Sequence, residues 1–189
     1  GAALIEDAAH AFPAWEGGSP DATGGYAGTL GDVGVFSFYA NKTITTGEGG
    51  MLVTSSPNVA ERVKTMRLHG IDREAWDRFT TPRGSWRYDV VEAGYKYNMP
   101  DTAAAIGRVQ LRRAEELAAA RRNAAARYAD ALADLEGEGA LRLPPDSPGH
   151  AHHLYILRVD AERYDRDEIA RRLQGEGVGV SVHYTPLHR

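Results

Sequence analysis

Short apolar runs set between glycine-rich and polar stretches fill the first third of the chain, and helical spacing fills most of the rest. Ala2-Ala3-Leu4-Ile5 reads as a buried strand over residues 2–6 that ends at Glu6-Asp7. Residues 8–32 are rich in glycine and small side chains and read as irregular, with a short turn of helix after Asp7. Val33-Gly34-Val35-Phe36-Ser37-Phe38 combines β-branched and aromatic residues, the composition of a second strand. A turn over 45–50 leads to a third strand, Met51-Leu52-Val53-Thr54. Ser56-Pro57 then supplies an N-cap followed by proline at the first helical position. That helix carries Val59, Val63 and Met66 on one face, and Gly70 is its stop.

Residues 71–99 have no period and hold Trp76, Trp86, Tyr88, Tyr95 and Tyr97, which marks a functional loop or an interface. From Asp101 to about Leu135 the composition is strongly helical, with Asp101 as N-cap and Gly137-Glu138-Gly139 as the end. A proline-rich link, Pro144 to Gly149, follows. Leu154–Val159 reads as a strand, Asp165 with Glu168 as a capping-box start for a helix to Leu173, and Val178–Tyr184 as a last strand. The expected organisation is α/β, with residues 1–100 in one domain and a linking helix plus a small α/β domain over 101–189.

Composition narrows the function. The 189 residues are 42% hydrophobic and 25% charged, the balance of a globular protein, and a formal charge of −4 argues against a nucleic-acid surface. No apolar run is long enough to span a bilayer. Zero cysteines remove disulfides, thiolate metal sites and cysteine nucleophiles, and agree with a cytoplasmic setting. Lysine chemistry has three candidates, Lys42, Lys64 and Lys96, among 22 basic residues. The chain opens without Met on an apolar run and ends without a closing element, which reads as a fragment of a longer protein.

Asp7 stands at the carboxyl end of a strand, where α/β sheets place ligands, although an aspartate there also caps turns. Lys42 follows the second strand and precedes a glycine-rich turn. Together they change the picture. A pyridoxal phosphate site needs an amine for the aldehyde and a carboxylate to keep the pyridine nitrogen protonated. Hydroxyls and backbone N–H groups of the kind offered by Ser37 and the Gly47–Gly50 turn suit phosphate oxygens.

Glu6-Asp7-Ala8-Ala9-His10-Ala11, Gly31 through Lys42, and Thr46-Gly47-Glu48-Gly49-Gly50-Met51 closely resemble the DegT/DnrJ/EryC1/StrS aminotransferases. Gly94-Tyr95-Lys96-Tyr97-Asn98-Met99-Pro100-Asp101 matches a further signature, and His69-Gly70 and His183 through His188 match weaker ones. The resemblance implies a type I pyridoxal-phosphate aminotransferase fold, with part of the large domain and a small C-terminal domain present. It implies transfer of an amino group from glutamate or glutamine to a nucleotide-linked keto-sugar. On that resemblance Lys42 is the Schiff-base lysine and proton carrier. Asp7 pairs with the ring nitrogen, His10 sits beside the ring, Ser37 binds phosphate, and His183 and His188 meet substrate. The Tyr95–Asn98 loop would reach the second subunit of a homodimer, with Lys96 or Asn98 on its phosphate. The family's N-terminal phosphate-binding turn and stacking aromatic do not precede Asp7 in this sequence.

Other readings compete. A dehydratase of this fold carries histidine in place of Lys42. A non-catalytic relative or inactive fragment remains open because half of the expected site is missing. A nicotinamide enzyme needs a glycine-rich turn after its first strand, and Asp7-Ala8-Ala9-His10 is not one. His150, His152 and His153 read as solvated linker residues rather than metal ligands, and Arg108, Arg112, Arg113, Arg121 and Arg122 as a solvated helix face.

Overall fold

The computed structural model describes residues 1–16, 24–72, 88–184 and 187–188. Trp76, Trp86 and the Thr185-Pro186 pair of the C-terminal motif lie outside the described residues. Two compact units emerge. The first comprises residues 1–123 and 147–153, and the second comprises 124–146 and 154–189.

In the first unit three strands form a mixed sheet in chain order: β1 (Ile5–Asp7), β2 (Val33–Ser37) and β3 (Gly50–Val53). β1 runs parallel to β2, and β3 antiparallel to it. β1 is shorter than the expected run and is not buried, with Leu4 58% and Ile5 66% exposed. A strand's apolar face is buried by whatever packs on it, so composition alone cannot fix its exposure. The buried apolar side chains of this unit are Ala8, Phe38, Ile44, Ala118 and Ala151, none of them on β1.

The helix α1 (Pro57–Met66) starts as its caps dictate: the Ser56 Oγ accepts from the Val59 N–H at 3.4 Å. It ends one turn before Gly70. The single helix expected from Asp101 is two, α2 (Asp101–Arg112) and α3 (Ala114–Gly137), broken at Arg113, whose backbone leaves the helical well. Pro100 rather than Asp101 takes the N-cap position, with no side-chain cap, and Asp101 lies inside the first turn. α3 contributes its first residues to unit one and the remainder to unit two.

The second unit holds a two-stranded ribbon, β4 (Leu141–Arg142) with β5 (Arg158–Val159), and the helix α4 (Arg166–Gly175). Asp165 caps α4 by accepting from the Asp167 and Glu168 N–H groups. The expected strand over 154–159 is reduced to two residues because β4 offers a ladder of two. Residues 178–184 form no strand. Their backbone is taken by the helix end instead, where the Val178 N–H donates to Leu173 O at 2.9 Å and the Gln174 amide donates to Val180 O. No helix among the described residues is long and apolar enough to cross a membrane.

The sheet sorts its side chains by register. Paired residues share a face, and neighbours along a strand alternate. Asp7 pairs with Val35, placing Asp7, Val35 and Ser37 on one face; Glu6 pairs with Gly34, placing Glu6, Gly34 and Phe36 on the other. Glu6 accepts from the N–H groups of Gly28, Leu30 and Gly31 at 2.6 to 2.7 Å and so pins the loop before β2. These donors, Gly31 and Gly28 foremost, hold its carboxyl below the ordinary value of 4.5. A carboxyl depressed by folding adds stability above its unfolded value and loses it as pH falls through the folded one. Glu6→Gln should therefore lower the urea midpoint at neutral pH, and the gap from wild type should narrow below pH 4.5. Equal midpoints at neutral pH would show that the loop holds without the carboxylate.

Candidate active site

Because β1 and β2 are parallel, their carboxyl ends emerge at one edge, Asp7 from the first and Ser37 from the second. Asp7 is exposed there, and one carboxylate oxygen accepts from the Ala9 N–H at 3.1 Å. The turn-capping reading of Asp7 is thus realised, and it leaves the carboxylate at the sheet edge.

Lys42 sits in the loop that closes between β2 and β3. Threonines tie this loop to itself. The Thr46 N–H and the Thr45 hydroxyl both donate to Phe38 O, and the Thr46 hydroxyl donates to Glu48 O at 2.6 Å. Thr43 and Thr46 are buried, as is Ile44 between them. The Lys42 N–H donates to Tyr39 O, and its half-buried side chain shares a small cavity with Ser37 at the end of β2. Burial lowers the pKa of its amine below the usual lysine value, and the Asp7 carboxylate opposes that by raising it. Asp7 and Lys42 therefore share one electrostatic environment.

The third arrival is His153. Its Nε2 lies 3.5 Å from Lys42 Nζ, and its ring packs on His10 with centroids 4.4 Å apart. Ala9, His10, Ser37, Lys42 and His153 line a cavity of about 10 Å³, room for one water at most. The sequence reading of His153 as a solvated linker residue is corrected by this placement. So is that of Arg121. Its guanidinium is half-buried and donates to the carbonyls of His152 and His153, at 3.3 Å each, and to Asn41 O at 3.5 Å. Arg122 also turns inward, pairing with Glu115 and lying 5.7 Å over the Trp15 ring. Arg113 pairs with Glu116 on the exposed side. No local pattern announces His153 or Arg121, because both contacts join residues far apart in the chain.

The remaining candidates lie elsewhere. In the first unit the Gly94–Asn98 stretch is tied to the end of α1 through Tyr95 N–H to Met66 O and Tyr97 N–H to Arg67 O. Lys96 and Asn98 bond each other, and the neighbouring exposed rings of Tyr95 and Tyr97 stack with centroids 4.9 Å apart. His183 and His188 belong to the second unit and are exposed, with His183 packed on Tyr184. A larger cavity of about 640 Å³ in the first unit is walled by apolar side chains including Phe36, Phe38, Met51 and Leu111. Asp7, His10, Ser37 and Lys42 do not line it, so size and chemistry part company here.

Residues 1–189 match the DegT/DnrJ/EryC1/StrS aminotransferase family. An uncharacterized protein of Methanocaldococcus jannaschii is 43% identical over 187 residues, 98% of this chain and 46% of that protein. The spore coat polysaccharide biosynthesis protein SpsC of Bacillus subtilis is 41% identical over 166 residues, 85% of this chain and 42% of its own length. The chain thus spans about half the length of the curated relatives it matches. Among solved structures, Spr1654 of Streptococcus pneumoniae in its PMP-form superposes with a TM-score of 0.80 at 30% identity, over 98% of this chain and 46% of that one. The same protein is also solved in a PLP-form and an apo-form. The fold is part of the type I aminotransferase fold. The chain belongs to the DegT/DnrJ/EryC1/StrS aminotransferase family.

Proposed function

We propose that the whole protein is a pyridoxal-phosphate-dependent aminotransferase that moves an amino group from glutamate or glutamine to a nucleotide-linked keto-sugar, in the cytoplasm and as a homodimer. The observation that carries this reading is the small cavity lined by His10, Ser37 and the half-buried Lys42 at the strand edge where Asp7 emerges, with the Asp7 carboxylate acting on the amine.

The donor set fits the cofactor. Lys42 offers the amine that would hold it, and Asp7 the carboxylate for its ring nitrogen. Ser37 offers a hydroxyl for phosphate, and His10 a ring at the same edge. Pyridoxal phosphate, when bound, supplies an electron-poor ring that stabilises negative charge on the carbon whose amine is transferred. Lys42 does the proton work. Its neutral amine accepts the proton from the α-carbon of the amino donor, and its ammonium form gives a proton to the sugar carbon that receives the amine. Burial favours the neutral form of the amine, and the Asp7 carboxylate opposes that by favouring the ammonium. The second subunit would contribute Lys96 or Asn98 to phosphate binding. Support for that assembly comes from the two stacked aromatic rings held outward beside them. His183 and His188 would meet the sugar nucleotide.

Borohydride reduction of the full-length protein with pyridoxal phosphate should place the pyridoxyl mass on Lys42. Recovery of that mass on Lys64 or Lys96 would overturn the assignment.

A further inference from the structure

The segment Ser147–His153 is flanked on both sides by residues of the second unit yet packs in the first. Its course is tightly fixed. The Trp15 N–H donates to Gly149 O at 3.0 Å, and a side chain at Gly149 would meet Trp15 O at 1.8 Å, so only glycine lets the two backbones touch. Ala151 is buried. His152 sits in the left-handed region with φ 44°, an unfavourable conformation for a residue with a side chain. Arg121 holds the carbonyls of His152 and His153 and Asn41 O, joining this segment to the loop that carries Lys42. All of this delivers one imidazole to one amine.

We propose that His153 is a positioning residue for the Lys42 amine, its Nε2 accepting a hydrogen bond from Nζ and setting the direction in which that amine points. The inference rests on the reading of Lys42 as the cofactor-holding lysine for its functional meaning, though not for its geometry. The titratable groups around the amine are Asp7, His10 and His153, with the Arg121 guanidinium on the backbone behind them. Two consequences follow from an ammonium facing an imidazole. Loss of the acceptor destabilises the ammonium, and loss of the ammonium makes the imidazole easier to protonate.

The test uses the full-length, cofactor-free protein with 13C at lysine Cε and histidine Cε1, titrated by NMR. The Lys42 signal is assigned by its loss in Lys42→Met and the His153 signal by its loss in His153→Phe. His153→Phe keeps the ring bulk and removes the acceptor, and should lower the Lys42 midpoint by about half a pH unit or more. His153→Gln, whose amide oxygen accepts, should restore most of that shift. Lys42→Met should raise the His153 midpoint by a similar amount. A midpoint unmoved in either arm overturns the proposal, and if His153→Phe does not fold the Lys42→Met arm decides alone. Pyridoxyl label on another lysine would sink the cofactor assignment while leaving this coupling intact, so the two failures are distinguishable.

Discussion

Full-length Lys42→Ala and a Lys96→Ala/Asn98→Ala double variant should each be nearly inactive alone and should regain activity when mixed and allowed to exchange subunits. Removing the group that carries the proton costs about 10²–10⁴-fold by itself, before any loss of cofactor tethering is counted. The loop variant fails for a different reason. Its Tyr95 and Tyr97 still project, but the Lys96 ammonium and the Asn98 amide are gone. In a mixed dimer one site takes its lysine from the loop variant and its loop from the lysine variant, so it is complete. Random exchange of equal amounts then restores about a quarter of wild-type activity, since half the dimers are mixed and each has one working site. A monomer with full activity at the assay concentration ends the idea, as does a mixture that exchanges subunits and stays inactive.

The second large effect is expected at Gly34, in the middle of the sheet. A Cβ there would lie 1.8 Å from the carbonyl oxygen of Gly28 and 2.5 Å from its carbonyl carbon. The obstacle is backbone, not the movable end of a side chain. The loop cannot rotate away in place either, because Glu6 binds its N–H groups and Gly28, at φ 88°, already approaches Phe36. Gly34→Ala must push the loop off the sheet or distort the central strand, at a cost of about 3 kcal/mol or more. Gly137→Ala is the control. It meets nothing within 4 Å and lies at the last residue of α3, where the substitution is neutral or adds about 0.4–1 kcal/mol. Equal denaturation midpoints for Gly34→Ala and wild type would show that the loop does not lie on the strand as described.

What was legible in the sequence was local. Ser56 and Asp165 cap their helices as their types and positions foretold, because a cap needs only the next turn of chain. That Asp7 and the Lys42 loop both follow the carboxyl ends of paired strands was legible for a related reason: two successive strands bring their ends together by pairing. Strands that depend on a distant partner were misjudged. Residues 154–157 and 178–184 have strand composition without a ladder to join, and β4 is too short to have a pattern at all. The break at Arg113 was hidden because arginine and its Glu116 partner are both good helix formers. At the site, His153 and Arg121 carried no sign, since a histidine near a proline-rich link and an arginine on a charged helix usually face water.

The return of Ser147–His153 to the first unit also sets an order of events during synthesis. A chain emerging from the ribosome presents β1 to β3 and the Lys42 loop early, and the imidazole that faces the amine is made 111 residues later. Until then the Trp15 N–H lacks its Gly149 acceptor, and Arg121 lacks the carbonyls of His152 and His153. The nascent first unit therefore matures in two stages, strand pairing first and completion of the lysine's surroundings last. A stalled chain released before residue 153 would carry the reactive amine without the segment that aims it.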